Sequence, residues 1–213
     1  MKKILIAWLA VFCLGFSVTG WAFPELTITD REIKQEHYLQ VYPKVSIAGE
    51  LTVSDKINTY FARNAEMAFR QYEEEKAKGV KKTEENKYVK SYYGDKYLSF
   101  TANGYMYYHG AAHPLSWLDG VTFDLATGDA IPWQKLIKEE DQEDFTLEAI
   151  NSKILNSTEK WRSWLYRDFA GLKKLPRIYY LDREGYIHFV FGQYEIATYA
   201  AGIIDLNTEK QCK

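Results

Sequence analysis

The run Phe189-Val190-Phe191-Gly192-Gln193-Tyr194-Glu195-Ile196-Ala197-Thr198-Tyr199-Ala200-Ala201-Gly202 changes character halfway through. Its first three residues crowd apolar and aromatic side chains together, as a buried strand does. From Gly192 onward, two tyrosines and a carboxylate sit among small residues, and Gly202 closes the segment. Small residues let another backbone come close, and tyrosines give a surface large amphipathic contacts. The stretch therefore predicts a strand that opens into a shaped loop, the kind of loop that carries function on a rigid scaffold.

Upstream, Tyr186–Phe191 and Ile178–Leu181 flank Asp182–Gly185 and predict a hairpin, and Ile203–Leu206 predicts a last strand. Leu26–Lys34 and Glu36–Val45 read as two further strands, the second ended by Pro43 and the Ser46–Gly49 turn region. Val53, Ile57, Tyr60, Phe61, Ala65, Ala68 and Tyr72 recur at helical spacing and predict a helix from Val53 to Lys76 facing a sheet. Thr52 and Asp55 are spaced as a capping pair for it. Glu73–Asn86 is charged and predicts an exposed connection. Lys87–Tyr93 and Lys96–Ala102 flank the turn signal Gly94-Asp95. Asn103-Gly104 is a second turn signal, or a bulge in one long strand continuing through Tyr105–Tyr108. Trp117–Leu125 is a strand, Ala126–Asp129 a tight connection, and Ile131–Ile137 a strand leading into a short helical turn. Asp141–Phe169 predicts helix in two pieces, the second carrying Trp161, Trp164, Leu165 and Phe169. Strands and helices mix without a βαβ rhythm, so the expected class is α+β, a mostly antiparallel sheet packed against helices.

The N-terminus has the form of a secretory signal peptide: Lys2 and Lys3, the apolar run Ile4–Val18, and small residues Gly20 and Ala22 at a cleavage site. The apolar run is short of the roughly 20 residues that cross a membrane. Cleavage after Ala22 is expected, with an uncleaved anchor, and hence membrane attachment, as the alternative. Cys13 follows Val11-Phe12, which is not the setting of a lipidated cysteine. Residues 23–213 are expected to form one domain, exported to the periplasm or beyond. Removing Lys2 and Lys3 from the 27 basic residues leaves 25 against 29 acidic ones, a net charge of −4. With no basic patch, nucleic acid is not an expected partner. Cys212 then stands alone, so no internal disulfide is expected; the reading is a frayed-tail thiol or an intermolecular bridge.

Five blocks in order carry a resemblance: Val41-Tyr42-Pro43-Lys44-Val45 with Ile57-Asn58, then Tyr105–His113, then Thr122–Gly128, then Trp133–Ile137, and last Phe191–Gly202. Together they resemble the RsiV-like extracytoplasmic domain, found in anti-sigma-V factors and beside the deacetylase domain of PdaC-like proteins. The resemblance spans about Leu26–Asn207. It implies an α+β domain without catalysis of its own, which in anti-sigma members binds C-type lysozyme. This chain shows no anti-sigma segment before its apolar stretch and no deacetylase domain, so direct control of a sigma factor is not expected. Ala111 stands where the family usually has glycine, and Thr198 where it usually has proline.

Several constellations suggest chemistry. His109 and His113 are four apart, but Gly110 and Pro114 oppose a helix and no zincin glutamate is present, so no metal is expected. Glu195, between apolar residues, could be a general acid with a raised pKa or a carboxylate that caps loop amides. With Asp119 or Asp124 it could form the acid/base pair of a cell-wall glycan hydrolase. Asp124 more simply closes its own turn. Trp117, Trp133, Trp161 and Trp164 could stack on sugars or fill cores. Ser116, Ser152 and Ser163 lack a nucleophile-elbow context, and no phosphate or dinucleotide loop occurs, so no cofactor is expected. The leading expectation is an exported binding module for a lysozyme-like protein, as sensor or inhibitor, or for a peptidoglycan fragment. Its surface would join the Tyr108, His109 and His113 loop to the Tyr194, Glu195, Thr198 and Tyr199 loop, with Tyr199 serving contact rather than packing.

Overall fold

Helix α1, Leu51–Ala77, lies across one face of a six-stranded sheet. The computed structural model describes residues 24–213. The predicted signal segment and Cys13 lie outside the described residues. The sheet runs in chain order: β1 (Leu26–Gln35), β2 (Tyr38–Ile47), β3 (Lys82–Tyr93), β4 (Tyr97–Tyr108), β5 (Leu115–Asp124) and β6 (Ala130–Ile131). Every pairing is antiparallel except β2 with β3, which α1 joins in parallel, as a crossover helix does. The class is α+β with a mostly antiparallel sheet, as expected from the pattern.

α1 buries Val53, Ile57, Phe61 and Ala65. Against them lie Val45, Ile47, Leu98, Phe100, Val121 and Phe123. Phe61 is the hub, with ring centroids 5.0 Å from Phe100 and Tyr88 and 5.4 Å from Phe123. Polar side chains on the same helix complete the strand beside it. Pairing of β2 with β3 stops at Val41, which leaves the backbone of Val45 without a strand partner on that side. Asn58 Oδ1 accepts from Val45 N–H at 2.7 Å, its Nδ2 donates to Val45 C=O at 2.9 Å, and Ser54 Oγ accepts from Ile47 N–H at 3.0 Å. Buried backbone groups must find such partners.

A second layer is the antiparallel sheet β7 (Tyr179–Leu181), β8 (Tyr186–Phe191), β9 (Ile204–Gln211). With α2 (Leu147–Leu155) it encloses a second core around Trp133, Phe145, Ile150, Ile154, Phe189 and Phe191. The layers meet at a seam that admits no Cβ: one built on Gly120 would lie 2.0 Å from Tyr179 O. There Ser99 Oγ accepts from Leu181 N–H at 3.1 Å and from Thr122 Oγ1 at 2.9 Å, all buried.

Several expectations are corrected. The cap of α1 is Glu50, with no side-chain hydrogen bond, so Thr52 and Asp55 do not form a capping pair. Asn103-Gly104 is neither turn nor bulge, since β4 pairs in register on both sides of it. Gly104 instead makes room for the Trp117 indole, which a Cβ there would meet at 1.8 Å. The charged run Glu73–Asn86 is helix end and strand rather than exposed connection. Lys82, 5% exposed, bonds Glu75 at 2.7 Å and Glu84 at 2.6 Å and lies over the Tyr72 ring. Asp141–Phe169 is only partly helical. A 3-10 turn spans Glu139–Phe145, Thr146 caps α2 through Ala149 N–H, and after Asn156 there is one more 3-10 turn, Lys160–Trp164. β9 reaches Gln211, so Cys212 is not a frayed tail. Its N–H donates to Gly185 C=O at 2.9 Å and it packs on the second core, where burial pushes its thiol pKa up.

Candidate functional site

The β4–β5 connection and the loop after β8 meet through three hydrogen bonds and an aromatic stack. His113 Nε2 lies 3.0 Å from Tyr194 Oη, Tyr199 Oη donates to Pro114 C=O at 3.1 Å, and Ser116 N–H donates to Gln193 Oε1 at 2.8 Å. The His113 ring stacks on Tyr199 with centroids 3.9 Å apart, and Tyr194 lies 5.6 Å from Tyr199. His113 Nδ1 is 3.1 Å from Pro114 C=O, an obligate acceptor, which puts the proton of the neutral ring on Nδ1. Nε2 is then the acceptor, and the Tyr194 hydroxyl donates to it.

Tyr194 is held in an unusual conformation. Its φ is +66°, in the left-handed region that costs an ordinary residue about 1–2 kcal/mol. Gly192 and Glu195 close the turn around it: Glu195 N–H donates to Gly192 C=O at 3.1 Å, and Gly192 N–H donates to Glu195 Oε2 at 2.8 Å. Tyr166 Oη donates to the Tyr194 carbonyl at 3.1 Å. Tyr194, so presented, is 47% exposed. Strain kept by surrounding contacts, with an aromatic ring turned outward, is a pattern of binding surfaces.

Thr198 extends the surface. Its N–H donates to Trp164 C=O at 3.0 Å, Tyr166 N–H donates to Ile196 C=O at 3.2 Å, and Leu165 and Ala197 form an antiparallel bridge. The φ of Thr198, −67°, is one that proline would share, but proline would lose the bond to Trp164. The bridge sets Trp164, 48% exposed, beside the tyrosine loop. Trp164 was expected to stack on sugars or to fill a core, not to border this loop, and nothing in the sequence singled out Tyr166. Trp133, by contrast, is core, with its Nε1 donating to Pro176 C=O at 3.0 Å.

The structure brings His113, Tyr194 and Tyr199 together and leaves Tyr108 and His109 apart from them. His109 turns away, its Nε2 3.1 Å from Thr83 Oγ1 and its ring edge-on to His37. Tyr108 is exposed, and among the described residues no hydrogen bond or ring contact ties it to the tyrosine loop. Tyr199 is half-buried, so it locks the loops together as well as bordering the surface, contrary to a purely contact role. Glu195 is exposed, not enclosed by apolar neighbours, and serves as the cap described above. Asp119 takes Gly120 N–H at 2.7 Å, and Asp124 closes its turn on Ala126 N–H at 2.7 Å, as its position predicted.

A second polar cluster lies on the small sheet. His188 Nδ1 is 2.7 Å from Asp205 and its Nε2 3.2 Å from Asp182, while Tyr180 stacks on the ring and donates to Asp205 at 2.6 Å. Burial alone would lower the pKa of His188; the bonds and charges of Asp205 and then Asp182 outweigh it and raise it. Two carboxylates on the two ring nitrogens favour the imidazolium, which fastens β7, β8 and β9 together.

No protein-family model matches the sequence, and no curated protein matches it significantly. Among solved structures, the chain is similar to a DUF3298 family member from Bacteroides fragilis, with a TM-score of 0.59 and 13% identity over 90% of this chain and 95% of that one. It is also similar to a DUF3298 family protein from Pseudomonas aeruginosa, with a TM-score of 0.56 and 12% identity over 87% of this chain and 90% of that one. At such identities the likeness shows the fold, which is consistent with a DUF3298/RsiV-like domain.

Proposed function

We propose that the protein is an exported, non-catalytic binding domain that recognises a cell-envelope ligand. The surface is formed by His113, Tyr194 and Tyr199, extended by Trp164 and Thr198. The observation that carries this reading is Tyr194, an exposed aromatic held at positive φ and hydrogen-bonded across two loops to His113. A rigid tyrosine gives contact area at little conformational cost, and interface energy concentrates in such residues. The favoured ligand is a lysozyme-like protein, with a peptidoglycan fragment as the alternative. Binding needs no cofactor. Glu195 acts by shaping the turn that presents Tyr194.

The test is calorimetric titration of the purified protein with a C-type lysozyme and, separately, with soluble peptidoglycan fragments. Saturable binding of lysozyme supports the reading, and a lysozyme activity assay then separates an inhibitor from a sensor. Binding of fragments alone moves the assignment to glycan. Turnover of the fragments would overturn the non-catalytic reading, and silence with both ligands would remove its basis.

A further inference from the structure

A cleft of about 690 Å³ is lined by the segment 169–178, the end of β8, Glu195 and Ile196. The segment is irregular but fixed. Leu172 N–H donates to Asn151 Oδ1 at 2.6 Å, and Asn151 Nδ2 donates to Leu172 C=O at 3.1 Å. Trp133 Nε1 holds Pro176 C=O from within the core, and Val190 N–H holds Ile178 C=O at 3.1 Å. A cleft walled by a segment held by four hydrogen bonds at three residues is pre-formed, which lowers the entropy cost of filling it.

Its chemistry is uneven. Leu172, Leu175, Ile178, Val190 and Phe191 give it apolar walls. Lys173, Lys174 and Arg177 also line it, all exposed, and none has a side-chain ion pair or hydrogen bond among the described residues. Three unpaired cations gather here on a chain whose net charge is −2. A single carboxylate, Glu195, shares the cleft. A phosphate or fatty acid would suit the cations but would be repelled by Glu195. A simple cation would suit Glu195 and meet three like charges. A peptide with free ends answers all of these: its ammonium pairs with Glu195, its terminal and side-chain carboxylates pair with the lysines and arginine, and an apolar side chain lies on the walls. The volume falls within the roughly 300–1,000 Å³ of small-ligand sites.

We propose that this cleft binds a short acidic peptide with free termini. The cleft shares Glu195 with the turn that presents Tyr194 but needs no contact with Tyr194 itself.

The probe is the tripeptide alanyl-leucyl-glutamate, titrated into the purified protein. The expected result is one-site saturable binding that weakens as salt rises from about 0.01 to 0.15 M, where the screening length falls from about 30 to 8 Å. Reversing Lys173→Glu and Lys174→Glu together weakens binding roughly tenfold, the scale of two exposed ion pairs exchanged for repulsions. Both side chains are exposed, so the melting temperature holds. Acetylating the amine of the probe weakens binding to the wild type but makes no difference to Glu195→Gln. Tyr194→Ala leaves peptide binding intact, which keeps failure of this site distinct from failure of the aromatic surface. The proposal is overturned by no saturable binding at millimolar probe, by indifference to the charge reversal, or by inorganic phosphate competing as well as the peptide.

Discussion

Substituting Gly120→Ala should open the seam between the two sheets. The new Cβ would lie 2.0 Å from Tyr179 O, 2.8 Å from its carbonyl carbon and 2.9 Å from Tyr180 Cβ. Non-bonded carbon contacts settle at about 3.5–4.0 Å, so β7 would have to retreat by more than about 1 Å. The obstructing atoms are largely backbone in a paired strand, which no rotamer change can move aside. Overpacking of this kind costs about 1–3 kcal/mol. Retreat also stretches the buried bond from Leu181 N–H to Ser99 Oγ, and an unsatisfied buried donor costs about 1–3 kcal/mol more. The sum, about 2–6 kcal/mol, corresponds to a fall in melting temperature of roughly 5–20 °C for a chain of this size. The assay is urea denaturation beside a thermal melt, with Gly49→Ala as reference. Gly49 has positive φ, +82°, and open space around it, so there only the backbone cost of about 1–2 kcal/mol applies. If Gly120→Ala cost no more than Gly49→Ala, the close approach of the layers would be refuted.

Other outcomes follow from the same contacts. Lys82→Met removes the ammonium between Glu75 and Glu84 and should cost about 3–5 kcal/mol in urea denaturation, because it leaves facing carboxylates without their cation. A loss below 1 kcal/mol would show that the cluster is solvated. His188 has a raised native pKa, so its stabilising contribution is complete below its unfolded value of about 6.5 and fades as pH rises through the native value. The wild type should therefore lose stability over that window, whereas His188→Gln should not; parallel curves would contradict the imidazolium clasp. Tyr199→Ala gives up the stack on His113 and the bond to Pro114, about 1–3 kcal/mol together. Tyr194→Ala, at an exposed position, gives up its bond to His113 and should cost about 0.5–1.5 kcal/mol in the same melts, less than Tyr199→Ala, and equal losses would contradict the distinction between lock and contact.

Local pattern carried much of the fold. Alternation located β1 and the strand after it, the runs flanking Asp182–Gly185 located the β7–β8 hairpin, helical spacing located α1, and Asp124 announced its turn. What failed was decided by distant neighbours. Nothing near Tyr38–Val41 says that it pairs in parallel with 84–87, since that partner arrives only after α1 has crossed the sheet. Gly104 looks like a turn residue until Trp117 is laid across it. Lys82, Glu75 and Glu84 look solvated until the helix end and β3 bring them together. Trp161, Leu165 and Phe169 do pack on the second core, but from an irregular chain, and Trp164 at the same spacing is left outside. At the site, His113, Tyr194 and Tyr199 were flagged by the blocks that carry the family resemblance rather than by periodicity. Trp164 and Tyr166 join them through a bridge no spacing rule reveals. The Asp182–His188–Asp205 cluster was missed for a similar reason, because its members meet across strands.

The most direct test of the account is a paired calorimetric titration of wild type and Tyr194→Ala with a C-type lysozyme under matched conditions. The account predicts saturable binding by the wild type, micromolar or tighter, and a loss of about 2 kcal/mol, roughly thirtyfold, in a variant that still melts cooperatively. No binding by the wild type, or equal binding by both, would contradict it.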